Sequence, residues 1–181
     1  MKIAVLVGSL RKESITRKVA RAIEAVTPEL TFVHVELGDL PLYNEDLETD
    51  APPAAWTGFR AATKDVDGFL FATPEYNRSV PGALKNALDV GSRPYGSSVF
   101  SKKPGAVVSV SPGALGGFGA NHHLRQSLVF LDVPVLQQPE MYVGNAGKLF
   151  DGDTLTNDAT RALFTKFGAA FTAWVKRHYA K

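Results

Sequence analysis

The chain has 181 residues, 45% of them hydrophobic, with 20 basic and 18 acidic side chains and a formal net charge of +2. That balance fits one folded domain over residues 1–181, and it supplies no global field toward nucleic acid or an anionic membrane. The lack of cysteine removes disulfides, thiolate metal sites, iron–sulfur clusters and thiol catalysis at one stroke.

In chain order, Lys2–Val7 (KIAVLV) is a short apolar run of the kind that makes a buried strand. It is too short for the apolar part of a signal peptide and soon meets Arg11 and Lys12; no stretch is long enough to span a membrane, so a cytoplasmic protein is expected. Ser14–Val26 carries apolar residues at helical spacing, with Ser14 placed to cap its start. Thr31–Glu36 alternates like a second strand, and Pro52–Lys64 is helical with proline near its beginning. Asp67–Thr73 reads as a third strand, Pro81–Val90 as a helix, Gly105–Ser111 as a fourth strand and Ala120–Leu131 as a helix. Pro134–Tyr142 is a weaker fifth strand, and Thr156–His178 is a long last helix whose Phe, Leu and Trp stripe belongs in the core. Strand followed by helix, over and over, specifies an α/β fold with a parallel sheet covered on both faces. The stretch from Pro41 to Pro53 reads equally as a lid or as a plain loop.

In such folds ligands bind beyond the carboxyl ends of the strands, where the strand order reverses. The loops there read GSLRKES, PEYNRS and SPGALGGFG. In the first, Ser9, Arg11 and Ser14 stand at a helix N-terminus, where free amides and the helix dipole favour an anion. The same residues also suit a capped helix with an exposed arginine. The pattern is neither the triphosphate-binding nor the dinucleotide-binding glycine loop, so one terminal phosphate is the better fit. In the second loop, prolines bracket a rigid turn whose Glu75–Asn77 backbone can face the edge of a planar ring, with Tyr76 beside it; taken alone, it reads better as a plain strand-to-helix turn. In the third, Gly113, Gly116, Gly117 and Gly119 allow close approach of a flat ligand, or simply a mobile loop.

Gly8-Ser9-Leu10-Arg11 with Ser14, Pro74-Glu75-Tyr76-Asn77 with Ser79, Pro81-Gly82, Leu84-Lys85-Asn86-Ala87, Gly116-Gly117, His123-Leu124-Arg125-Gln126 and Phe130-Leu131-Asp132 resemble, in that order, the NADPH-dependent FMN reductase family, in its chromate, quinone and azo-dye reductase branch. The resemblance implies a flavodoxin-like sheet of order 2-1-3-4-5, noncovalent FMN, and NADPH or NADH as electron donor. It places Ser9, Arg11, Ser14, Ile15 and Thr16 around the phosphate. Pro74, Glu75, Tyr76 and Asn77 then face the flavin ring, and Ser111, Gly113, Gly116 and Gly117 close the site. It implies reduction of a small-molecule acceptor (a quinone, chromate, an azo compound or free flavin), with no catalytic side chain because the flavin carries the chemistry. It further implies a homodimer or homotetramer. Two residues depart from the family's habit: Thr16 stands where asparagine is frequent, and Val90 where many members have tryptophan.

Other candidates are weaker. The carboxylates of Glu24, Glu36, Glu45, Asp46 and Glu48 are scattered, and adjacent His122 and His123 point apart on a helix. Asp151-Gly152-Asp153 lacks the later ligands of a calcium loop and reads as a turn. No G-x-S-x-G elbow is present. Arg78 and Arg93 are candidate landing points for an anionic nicotinamide cofactor. Arg125 and Asp132, seven apart on one predicted helix, would share a face toward a partner. The rival from another class is a flavodoxin-type electron carrier without a small-molecule substrate; such carriers tend to be acidic, which this chain is not. A second rival is a phosphate-binding regulator on the same fold.

Overall fold

The computed structural model describes residues 1–179. Its strands are β1 (Lys2–Val7), β2 (Thr31–Val35), β3 (Gly68–Pro74), β4 (Gly105–Val110) and β5 (Met141–Val143), followed by β6 (Phe150–Asp151) and β7 (Thr154–Leu155). Its helices are α1 (Ile15–Ala25), α2 (Ala54–Lys64), α3 (Gly82–Gly91), α4 (Phe118–Phe130) and α5 (Asp158–Tyr179). The first five strands form one parallel sheet in the order β2-β1-β3-β4-β5.

Alternation along β1 divides the interior into two layers. Ile3, Val5 and Val7 face the layer built from α1 and α5, with Val19, Ile23, Phe164, Phe167 and Phe171. Ala4 and Leu6 face the other, with Trp56 and Phe59 of α2, Leu84 and Leu88 of α3, and Leu124 and Leu128 of α4. Phe69 and Phe71, two apart on β3 and so on one face, stack at 5.6 Å and pack against Phe100. Because helices cover both faces, β1, β3 and β4 are apolar almost throughout.

The weak fifth strand is shorter than its sequence predicts. Only Met141–Val143 pairs with β4, and Val135 makes an isolated bridge to Gly105. Pro134 and Pro139 have no N–H to offer a ladder and interrupt the segment. The small β6–β7 hairpin was not expected; Asp151-Gly152-Asp153 forms its turn, with Gly152 at φ +57°.

The paired-face reading of Arg125 and Asp132 is incorrect. α4 stops at Phe130, and Asp132 lies beyond it at φ +56°, its carboxylate accepting from the Ser101 hydroxyl. Arg125 turns inward: Nε donates to Asn121 Oδ1 at 2.8 Å and Nη1 to the Leu136 carbonyl at 3.1 Å. Burial pushes the Arg125 pKa below its ordinary value.

The Pro41–Pro53 stretch is fastened at several points. Asn86, buried in α3, accepts from Tyr43 N–H at 2.8 Å and donates to the carbonyls of Leu40 and Pro41. Trp56 Nε1 also donates to Pro41. Arg60 pairs with both carboxylate oxygens of Glu48, at 2.8 and 2.6 Å, and its Nε donates to the Val90 carbonyl. The lid reading is therefore replaced by that of a structured loop. Among the described residues no helix is long and apolar enough to cross a membrane, and no group of three or more His, Cys, Asp or Glu could hold a metal ion.

Candidate functional site

The chain leaves β1 toward β2 on one side and crosses back to β3 on the other, so the strand order reverses between β1 and β3. A crevice must open beyond the carboxyl ends of these strands. One does: a cleft of about 280 Å³ is lined by Ser9, Arg11, Ile15 and Thr16 from the first loop and helix, Pro74, Glu75 and Tyr76 from the second loop, and Val110, Ser111 and Pro112 from the third.

The first wall is polar. Ser14 is the N-cap of α1, in extended conformation, and its hydroxyl oxygen accepts from Arg17 N–H at 3.1 Å. Its hydrogen remains free to be donated. Ser9, Ser14 and Thr16 are all buried, whereas Arg11 is exposed. Among the described residues no hydrogen bond or ion pair engages the Arg11 guanidinium. Buried hydroxyls, a helix N-terminus and an unengaged arginine at one end of a cleft are the donor set for a phosphate. Arg17, which the sequence reading passed over, braces this turn by donating to the Arg11 carbonyl at 3.3 Å while its other nitrogen lies 3.7 Å from Glu36. Its place one turn into the helix, beside a loop with another arginine, was the available signal.

The second wall is a tight two-residue turn. Tyr76 and Ser79 exchange both backbone hydrogen bonds, at 3.1 and 3.0 Å, with Asn77 and Arg78 at φ +51° and +64° between them. Two successive left-handed residues are the signature of a type I′ turn. The Tyr76 N–H and C=O are thus engaged within the turn, leaving Glu75 and Asn77 as the main-chain groups for a ligand's edge. The Tyr76 ring is half-exposed at the rim.

The third wall is made by Val110, Ser111 and Pro112 rather than by the glycines. Gly116 and Gly117 are buried and face inward at φ +60° and +76°; a Cβ on Gly116 would come within 2.7 Å of the Tyr142 backbone. They let the loop fold down onto the sheet. Gly113 is exposed and donates to the Ser111 hydroxyl. Of the predicted site residues, Ser9, Arg11, Ile15, Thr16, Pro74, Glu75, Tyr76 and Ser111 therefore share one cleft. Ser14 supports it from beneath, and Asn77, Gly113, Gly116 and Gly117 are not among its lining. Val110 and Pro112 were missed; both adjoin the end of β4, where the topology alone points.

Arg78 lies 3.4 Å from Glu75 and is exposed. Arg93 stands over the Tyr95 ring at 4.1 Å and is not part of the lining of the cleft. His122 and His123 point to different neighbours, the Tyr142 hydroxyl at 3.1 Å and Ser79 Oγ at 3.0 Å. Burial, with help from Glu140, pushes the Tyr142 phenol above its ordinary pKa.

A five-stranded parallel sheet of this order, with a phosphate-suited helix N-terminus at the reversal point, defines the flavodoxin-like class of α/β proteins. Residues 1–148 match the family model described as NADPH-dependent FMN reductase. The chain is 61% identical over 179 residues to a quinone reductase of Pseudomonas putida, covering 98% of this chain and 96% of that one. It is 43% identical over 178 residues to a 2-hydroxy-1,4-benzoquinone reductase of a Burkholderia species, covering 97% of each. Among solved structures it is similar to FerB, a flavoenzyme NAD(P)H:(acceptor) oxidoreductase of Paracoccus denitrificans, with a TM-score of 0.90, 36% identity and 98% of each chain covered. The chain belongs to the NADPH-dependent FMN reductase family.

Proposed function

We propose that this protein is an NAD(P)H-dependent oxidoreductase that binds FMN over a single domain, residues 1–181, and reduces small-molecule acceptors, quinones foremost. The observation that supports it best is the convergence of all three loops on one cleft with a phosphate-suited end. The buried hydroxyls of Ser9, Ser14 and Thr16, the start of α1 and Arg11 fit a phosphate. Ile15 packs beside them, and Thr16 offers a hydroxyl where an asparagine is frequent. Pro74, Glu75, Tyr76 and Ser111 fit the faces and edge of a ring, while Asn77, Gly113, Gly116 and Gly117 shape the turns that carry them. FMN, when bound there, supplies the hydride relay between NAD(P)H and the acceptor. The residues' task is to hold and orient it and leave one face open; no side chain is needed as acid, base or nucleophile.

Quinones lead among acceptors because relatives similar over nearly the whole chain are named as quinone reductases. Chromate, azo compounds and free flavin are further acceptors that an open flavin face would admit. The reading is favoured over a flavodoxin-type carrier by those relatives and by the slightly basic net charge of +2. The cytoplasm, where reduced nicotinamide is regenerated, is the compartment that suits it.

The assembly we assign is a homo-oligomer, at least a dimer, built on the α3–α4 face. There a groove of about 540 Å³ runs past Leu88, Gln126 and Phe130, and Phe130 is 79% exposed. Leu88, Phe130 and Leu131 form an apolar strip there among Lys85, Asp89, Arg93 and His123, and an exposed strip with a polar rim suits a second copy. Light scattering at micromolar concentration should give at least twice the chain mass; a monomer mass overturns the assembly.

The function is tested by purifying the protein and titrating it anaerobically with NADPH and with NADH, then with benzoquinone. A yellow protein that bleaches with a nicotinamide donor and recovers with the quinone is expected. A colourless protein that takes up no FMN overturns the flavin reading. A yellow protein that neither donor bleaches leaves the electron carrier instead.

A further inference from the structure

Helix α4 has no N-terminal cap of its own. Its N-cap is Gly117, which offers no side chain, and its first turn contains no acidic residue. The first amides of a helix lack partners within it and meet the positive end of its dipole. Here the acceptor comes from the opposite wall of the cleft. Glu75 Oε2 accepts from Ala120 N–H at 3.0 Å, across 45 residues of sequence. The Glu75 side chain is only 13% exposed, and its other oxygen lies 3.4 Å from Arg78 Nη1.

The turn that carries Glu75 is seated on α4 at two more points. Ser79 Oγ and His123 Nδ1 are 3.0 Å apart. The Arg78 carbonyl lies so close to Gly119 that a Cβ there would approach it to 2.8 Å. The backbone bonds of the third loop, by contrast, run away from the cleft: Ser111 N–H to Val143, Asn145 N–H to Gly113 and Ala146 N–H to Ser111. Glu75 therefore ties the second wall to the start of α4, the helix that follows the third loop.

We propose that Glu75 is a positioning residue: by capping α4 from the facing loop, its side chain holds Pro74–Tyr76 and Val110–Pro112 at the separation a flat cofactor needs. What matters is reach and an acceptor oxygen, not charge. The spacing role rests on the flavin reading; the cap on α4 stands without it.

Three variants of the full chain test it. Glu75→Ala removes the strut, Glu75→Asp is one methylene short of Ala120, and Glu75→Gln keeps an oxygen at the original reach. Amide exchange across residues 118–121 is measured without added flavin, and the FMN dissociation constant by fluorescence titration. A lost cap should speed exchange and weaken FMN by about fivefold in the Ala and Asp variants. The Gln variant should stay within about twofold of the parent on both counts. Unchanged exchange in Glu75→Ala overturns the strut. A Gln variant as impaired as Ala, or an Asp variant as good as the parent, overturns reach in favour of charge. If the parent itself takes up no FMN, the proposed function falls while the exchange comparison still decides the strut.

Discussion

Two loops at the same end of the sheet use their polar groups in opposite ways. The Pro41–Pro53 stretch has its polar groups engaged by the neighbouring helices: Asn86 grips Tyr43, Pro41 and the Leu40 carbonyl just before them, Glu48 is locked to Arg60, and Trp56 holds Pro41. The Gly8–Ser14 loop buries two hydroxyls beside a helix start and leaves its arginine unengaged. Both are polar loops after a strand. The difference teaches that a loop held in place consumes its hydrogen-bonding capacity, while the Gly8–Ser14 loop keeps part of its own unspent. Substitutions in the first should therefore act on stability, and in the second on affinity.

The largest expected effect is on the pinned loop. Asn86→Ala removes three part-buried hydrogen bonds to the Tyr43 N–H and the Leu40 and Pro41 carbonyls. At roughly 1 kcal/mol per bond it should cost about 3 kcal/mol, seen as a lower urea midpoint. An unchanged midpoint would mean that the loop is not held by these bonds. Arg11→Ala should do the reverse: FMN affinity falls by about tenfold to a hundredfold, the value of one charge-assisted contact, with the urea midpoint unmoved. A titration of flavin-free protein measures this, and unchanged affinity would move the phosphate elsewhere.

A smaller effect is expected at Glu48, whose side chain and that of Arg60 are each 14% exposed. Glu48→Ala leaves a largely buried guanidinium without its carboxylate and should cost about 2 kcal/mol, again in urea. FMN affinity should not change; if it does, the pinned loop also shapes the cleft and the contrast between the loops fails. Tyr76→Phe should do least. Its ring lines the rim and its backbone closes the turn, so the hydroxyl can go. Flavin reduction by NADPH in stopped flow should slow by less than about tenfold, or ~1.4 kcal/mol. A thousandfold loss with FMN still bound would put the hydroxyl in the chemistry.

Apart from the fifth strand, which pairs only over Met141–Val143, the strands and helices of the sheet are readable to within a few residues, because apolar runs and helical spacing are local properties that burial on two faces enforces. The first loop was equally readable, since Ser14 caps a helix whose apolar stripe begins at once. What escaped the sequence depends on distant partners. Nothing in GGFG says that its helix borrows a cap from Glu75, and nothing in KNALD says that Asn86 serves Tyr43. The glycines of the third loop read as points of close approach; what the sequence does not show is that Gly116 and Gly117 lie against the backbone of Tyr142 and the side chain of Ser109. Arg125 looked like a surface residue by its spacing, but the unfilled acceptors of Asn121 and Leu136 drew it inward.

The chain has two tryptophans, and the fold gives them separate duties. Trp56 is fully buried, with its indole N–H tied to the Pro41 carbonyl of the pinned loop. Trp174, on α5, is half-buried and tied to Pro134 at the far edge of the sheet. The two indoles thus emit from different surroundings, the first dry and the second partly wet. Trp56 should emit further to the blue than Trp174, so unfolding that exposes one indole before the other should be visible in the emission spectrum without any added dye.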